Sequence, residues 1–260
     1  MITDTEAIVL RQVRTVNSRR MLVLFSKKFG KISVGSNLNE GGKNKTALAQ
    51  RPFTYGRYEL FKSRENYNLN NGQVLKSYYS IGEDLDKYMA ASYVLELTEK
   101  VISEDLPQPA MFRLLLDYLD ALEKRKKKQE TLTIAYMVKA LAILGVMPHI
   151  DDCTVCGAAN AQRFFSIEEG GMVCENCAKT FMARPGEEPL IYDTNFGIVN
   201  ILKYFQKEPF SAFEKIALQD EILKKMYVIL KQYFGYHLDV KNLKCEELSF
   251  LDLKGISSFD

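Results

Sequence analysis

The chain has 260 residues, 47% of them hydrophobic and 26% charged, with 35 Lys and Arg against 33 Asp and Glu. These proportions exclude a disordered or fibrous sequence and suit a soluble globular protein of one to three domains. The net charge of +2 is a cancellation: residues 1–80 hold fourteen basic and five acidic side chains, whereas residues 81–260 hold twenty-one basic and twenty-eight acidic.

In chain order, residues 1–80 read as strands. Segments 5–10, 20–25, 31–34, 53–61 and 73–79 are rich in Val, Ile, Tyr and Phe, and turn-forming residues such as Asn17-Ser18, Gly30 and Asn70-Asn71-Gly72 separate them. Five short strands in this length suit a small closed barrel. Residues 36–50 show no periodicity and read as a mobile basic loop. From Asp84 the period changes to that of helices, predicted over 84–103, 107–123 and 131–146, the last ending near Gly145 with Pro148 beyond it. The charged run 123–130 connects the second and third, and its cations Lys124 to Lys128 read as a solvated turn. After a cysteine-bearing insertion the helical pattern resumes over 195–205 and 211–234, the latter apolar around most of its circumference and so expected to be buried. The expected architecture is therefore α+β and multidomain: a barrel over 1–80, and a helical domain over 81–260 that contains a ribbon at about 150–180.

The most specific local motif is Cys153-x2-Cys156, seventeen intervening residues, then Cys174-x2-Cys177. A two-residue gap lets both thiolates of a knuckle reach one metal about 2.3 Å away, and two knuckles close a four-thiolate shell suited to zinc. Such a shell leaves no open coordination position, so one structural Zn2+ per chain is expected, with a small hairpin from 164–167 and 172–173 between the knuckles. Redox chemistry at either pair would need a thioredoxin-like βαβ setting, which the sequence lacks. Cys245 reads as an ordinary small residue and His149 as a packing or surface histidine.

The second signal is basic. Arg11, Arg14, Arg19, Arg20, Lys27, Lys28, Lys31, Lys43, Lys45, Arg51 and Arg57 recur along the strands and loops, interleaved with aromatic residues of which most must fill the barrel core. Cations neutralise phosphates and release counterions, so these residues are the candidate DNA contacts, with Arg11, Arg19, Arg20, Lys27, Lys28 and Lys31 preferred for their places at strand ends and turns. No phosphate-binding loop is present, since Asn37 and Asn44 stand where Gly and Ser or Thr are required. The two histidines, His149 and His237, form no recognisable nucleophile–base pairing, and nothing argues for an enzyme. The longest apolar stretch, residues 140–147, is far shorter than the roughly 20 residues of a membrane helix, and the acidic N-terminus does not read as a signal peptide. A cytoplasmic location follows as an expectation.

A basic five-strand barrel, a helical body and a four-cysteine ribbon between helices together resemble the bacterial RecO family of recombination mediators. The matching landmarks are Thr5-Glu-Ala-Ile-Val-Leu-Arg11, Leu22-Val-Leu-Phe-Ser-Lys-Lys-Phe-Gly-Lys31, residues 48–60 around Pro52-Phe53, and the tail from Tyr236-His237-Leu238 to Phe250-Leu251. The resemblance implies an N-terminal OB-fold that binds single- and double-stranded DNA, a nucleoid-associated location and a non-enzymatic role in repair and recombination. It further implies strand annealing, loading of RecA with RecR onto DNA coated by single-strand-binding protein, and binding of that protein's C-terminal tail. Two other readings of the residues stay open: an RNA-binding barrel, and a zinc-ribbon adaptor whose task is protein contact.

Overall fold

The computed structural model describes residues 1–14, 20–37, 45–63, 66–159, 163–183, 189–194, 197–213 and 215–246. They divide into two compact units, Met1–Lys124 with residues 243–246, and Arg125–Asn242. The first unit runs β1 (Ile2–Arg14), β2 (Arg20–Ser26), β3 (Gly30–Ser36), α1 (Lys45–Ala49), β4 (Thr54–Lys62) and β5 (Tyr67–Ser77), followed by α2 (Leu85–Val101) and α3 (Pro109–Lys124).

β1 is long enough to serve two neighbours. Its residues 2–8 pair antiparallel with β4, its residues 7–14 pair antiparallel with β2, and a bulge between Val9 and Arg11 bends it at the changeover. β3 meets β5 in parallel through Val34 and Tyr67, so the order β1-β2-β3-β5-β4 closes into a barrel. Alternation places Ala7, Val9, Leu22, Leu24, Ile32, Val34, Tyr58 and Leu60 in the interior. Each of the Val, Leu and Ile side chains contributes about 1.5–3 kcal/mol on burial. Ile8, Leu10 and Phe25 are buried on the other face of their strands, where the Phe25 and Phe112 rings lie 5.3 Å apart edge to face.

Two expectations for this unit are corrected. Asn70-Asn71-Gly72 is not a turn but part of β5: Glu59 pairs with Asn71 and Leu60 with Leu69, which leaves Asn70 as the extra residue of a bulge, its amide donating to Glu59. The stretch read as a loop over 36–50 ends in α1, whose Ala47 and Ala49 are buried, with the Tyr58 hydroxyl donating to Ala49 O at 2.6 Å. Residues 38–44 of that stretch lie outside the described residues.

The second unit holds α4 (Gln129–Ile143), β6 (Phe164–Ser166), β7 (Gly171–Val173), α5 (Glu175–Met182), β8 (Ile191–Asp193), α6 (Ile198–Lys207) and α7 (Asp220–Leu238). α4 buries eleven of its fifteen residues, so it, rather than the last helix, is the one enclosed nearly all round. It ends as its sequence suggests: Gly145 takes φ +75°, and the Val146 N–H turns back to Leu141 O at 3.0 Å. The single helix expected over 211–234 is interrupted. A short 3-10 turn at Phe210–Phe213 buries both phenylalanines, and α7 begins only at Asp220. In the gap Phe213 O accepts the Ile216 N–H at 3.0 Å in a turn bond rather than an α-helical one, and the Arg125 guanidinium donates to Phe213 O and Ile216 O, both at 2.6 Å, which favours this turned path. Arg125 is therefore buried, a correction to the reading of its run as a solvated turn. Within α7 the buried positions Leu223, Met226, Tyr227, Leu230, Tyr233 and Phe234 form one stripe. Among the described residues no helix is long and apolar enough to cross a membrane.

Candidate metal centre and nucleic-acid interface

The second unit builds the cysteine site from a small sheet of order β7-β6-β8. Before the sheet, the first knuckle leaves His149 and turns at Gly157, φ +69°, where the Gly157 N–H donates to Cys153 O at 2.8 Å. The His149 N–H donates to Gly170 O at 2.9 Å and the Met172 N–H to His149 O at 2.8 Å, which brings this knuckle onto β7. The approach is so close that a Cβ at Gly171 would stand 2.1 Å from His149 O, so only glycine fits. The second knuckle follows β7 directly, and Cys174 is the N-cap of α5, its Sγ accepting from the Cys177 N–H at 3.5 Å.

The four Sγ atoms of Cys153, Cys156, Cys174 and Cys177 consequently lie within 4.8 Å of one another. Cys156 Sγ and Cys174 Sγ are 3.7 Å apart, close to the edge of about 3.8 Å that metal–sulfur bonds of 2.3 Å give in a tetrahedron. Cys153 is buried while Cys156 is exposed, so the site opens to solvent on one side. Burial alone would raise the Cys153 thiol, but main-chain N–H groups of Cys156, Cys174 and Val155 reverse this and bring it down to about 6. The shared hydrogen bond with Cys174 and burial push Cys177 up to about 12. Four sulfur donors at these separations fit a thiophilic divalent ion and leave no coordination position for a substrate. His149 is not a donor to the site, since its Nε2 lies 2.7 Å from Asp152 Oδ1.

The candidate DNA contacts fall into groups that the sequence order does not reveal. Arg11 and Lys31 converge on α2: Arg11 Nε meets the Glu99 carboxylate at 2.8 Å, and Lys31 Nζ donates to Glu99 O at 2.9 Å. They tie barrel to helix as much as they face solvent. Arg14 and Arg20 stand opposite each other at the far end of the β1–β2 ladder. Arg51 is exposed in the turn after α1. Lys27, Lys28 and Arg57 come together around a shallow concavity of about 340 Å³ lined also by Asp4, Thr5 and Glu6. Arg19 and Lys43 lie outside the described residues, as does the side chain of Lys45.

Sequence reasoning missed the acids that organise these cations. Glu6 and Glu99 are single carboxylates in a basic segment and at the end of a helix, and only strand register and helix placement set them against Arg57 and Arg11. Among the aromatic residues, Phe25, Tyr58 and Tyr67 are buried, whereas Phe61 is exposed beside Ile2 on the β1–β4 ladder. Cys245 is not one of the four clustered thiols. Its N–H and that of Lys244 donate to the Glu96 carboxylate at 3.0 and 2.9 Å, while burial and the Glu96 charge push its thiol up to about 12.

Comparison with known proteins gives a match at each half of the chain. Residues 1–78 match the family model for the N-terminal domain of recombination protein O, and residues 82–246 match that for its C-terminal domain. The chain is similar to the DNA repair protein RecO of Alkaliphilus metalliredigens, 29% identical over 250 residues that cover 96% of this chain and 99% of that protein. It is similar also to RecO of Pelotomaculum thermopropionicum, 32% identical over 96% of this chain and 93% of that protein, and of Bacillus pumilus, 27% identical over 98% of each.

Proposed function

Since the chain belongs to the RecO family of DNA repair and recombination proteins, we propose that its barrel is an OB-fold that holds single- and double-stranded DNA chiefly through phosphates. On this reading the protein anneals complementary strands and, with RecR, loads RecA onto DNA coated by single-strand-binding protein, whose C-terminal tail it binds. It does so without catalysing a reaction. Cys153, Cys156, Cys174 and Cys177 hold one structural Zn2+ that cross-links the two knuckles.

The observation that carries this reading is the barrel's closure. The order β1-β2-β3-β5-β4, with a parallel β3–β5 contact and a helix between β3 and β4, is the path of an OB-fold. This barrel also carries a surplus of nine positive charges over residues 1–80. Annealing needs attachment that is exchangeable and indifferent to sequence, and cations on turns and outer strand faces supply that better than base-edge readout.

The test is equilibrium binding of mixed-sequence oligonucleotides over a range of salt, followed by annealing of strands coated with single-strand-binding protein. Affinity should fall as salt rises, by about 0.7 in logarithmic slope for each phosphate contacted on a single strand. Reversing Arg20, Lys27 and Lys28 to Glu should weaken all sequences alike and slow annealing. Binding indifferent to salt, or loss confined to one sequence, would refute the phosphate reading.

A further inference from the structure

The β1–β4 face of the barrel carries more negative charge than a plain DNA surface requires. In the register of these strands Asp4 pairs with Glu59 and Glu6 with Arg57, so three of the five acidic residues of segment 1–80 share one face. Glu6 is the one on which cations converge. Its Oε2 accepts from the Tyr55 hydroxyl at 2.9 Å and lies 3.3 Å from Lys27 Nζ, while its Oε1 lies 3.9 Å from Arg57 NH2. A pair of anionic oxygens met by a hydroxyl, an ammonium and a guanidinium is the arrangement a DNA phosphate meets on a protein.

We propose that the concavity lined by Asp4, Thr5, Glu6, Lys27, Lys28 and Arg57 is a phosphate subsite whose resident anion is the Glu6 carboxylate. A backbone phosphate of bound DNA takes Lys27 and Arg57 from Glu6, which makes Glu6 a built-in competitor that lowers affinity and keeps DNA exchangeable. The proposal rests on the reading of the barrel as the DNA-binding unit.

Three features favour such an exchange. The Lys27 and Arg57 separations exceed the 2.7–2.9 Å of strong charge-assisted bonds, and both side chains are more than half exposed, at 60% and 58%, so the existing pairs are weak surface pairs. The main chain that presents Lys27 is fixed independently of the Glu6 side chain, because the Lys27 N–H donates to Glu6 O at 2.9 Å and the Lys28 N–H to Ser26 Oγ at 3.2 Å. The Tyr55 hydroxyl, then Lys27 and Arg57, hold the Glu6 carboxyl below the usual carboxylate range against the opposing effect of burial, so it stays ionised beside any incoming phosphate.

Glu6→Gln tests this, since the amide keeps the size of the side chain and an acceptor for Tyr55 but removes the charge. Full-length variant and wild type are compared on a mixed-sequence single-stranded oligonucleotide across a salt series. The variant should bind several-fold more tightly at moderate salt, with a logarithmic salt slope steeper by about 0.7 per phosphate gained. Adding Lys27→Gln and Arg57→Gln to it should abolish the gain. A variant with wild-type affinity and slope overturns the proposal, as does a gain that survives the two further substitutions, while wild-type binding that ignores salt instead overturns the DNA-binding reading beneath it. If Glu6→Gln lowers the thermal unfolding midpoint, Glu6→Ala is read by the same criteria.

Discussion

Replacing Arg125 with alanine removes a buried guanidinium that ties its own run before α4 to the turn before α7. Its Nε donates to Lys127 O, its NH1 to Phe213 O and one NH2 proton to Ile216 O, each at 2.6 Å, and NH2 also reaches Lys128 O at 3.4 Å. A hydrogen bond from a charged donor contributes about 1.5–3 kcal/mol, so the three short bonds amount to roughly 5–9 kcal/mol gross. Two terms reduce this. Burial disfavours the charged guanidinium, with Glu130 opposing that effect, and most of the carbonyls are partly exposed, so water can reach them once the side chain is gone. The expected net loss is about 3–4 kcal/mol, a large part of the 5–15 kcal/mol that keeps an ordinary domain folded. Lys126 and Lys127, of the same charge and in the same run, are exposed, and their alanine variants should change stability by less than about 0.5 kcal/mol. The assay is urea unfolding followed by circular dichroism at the helical minimum and by tyrosine fluorescence, the chain having no tryptophan. Lysine at 125 should recover less than half of the loss, because one ammonium cannot serve three divergent carbonyls. An Arg125→Ala midpoint equal to those of the Lys126 and Lys127 variants would refute the reasoning.

Elemental analysis of purified protein should find about one zinc per chain; Cys174→Ser should lose it and lower solubility, whereas Cys245→Ser should retain it, and metal-free protein prepared under reducing conditions would refute the assignment. The Glu96 carboxylate, whose burial would raise its pKa, is held low by the N–H groups of Lys244 and Cys245. Its folded value thus lies below the unfolded one of about 4.3, so the anchoring of residues 244–245 should be fully present above about pH 5 and fade as pH falls through the lower folded value. Hydrogen exchange at these two amides between pH 3 and 6 measures it; protection unchanged over that range, or unchanged in Glu96→Gln, would contradict the assignment.

Much of the fold is legible in local pattern. Runs of β-branched and aromatic residues marked the five barrel strands, though the last begins earlier than its run at 73–79, and a helical period of apolar residues marked α2, α3, α4, α6 and α7, because burial on one face leaves a pattern in the chain. Failures occurred where local chemistry was overridden by a partner far away. Asn70-Asn71-Gly72 has turn composition, yet β4 and β5 continue past it by absorbing Asn70 as a bulge. Residues 211–219 have helical composition, yet a 3-10 turn at Phe210–Phe213 stops short of α7, and the Phe213 and Ile216 carbonyls accept from Arg125. The β8 strand of the ribbon was not foreseen, since three residues are too few to show a period.

The cysteine quartet is the part of the site that the sequence by itself determined, because a two-residue gap constrains two ligands to one metal wherever the knuckle sits. The tertiary structure added that both knuckles meet on β7, through an approach that only Gly171 permits. The surplus of nine charges was equally plain from counting, but its distribution was not. Arg11 answers to Glu99, 88 positions away, and Lys27 and Arg57 to Glu6, at 21 and 51 positions. Such pairings are set by strand register and by the packing of helices on the barrel, and since charged side chains at these separations share no period, composition can state how many cations there are but not which of them are already held by an acid.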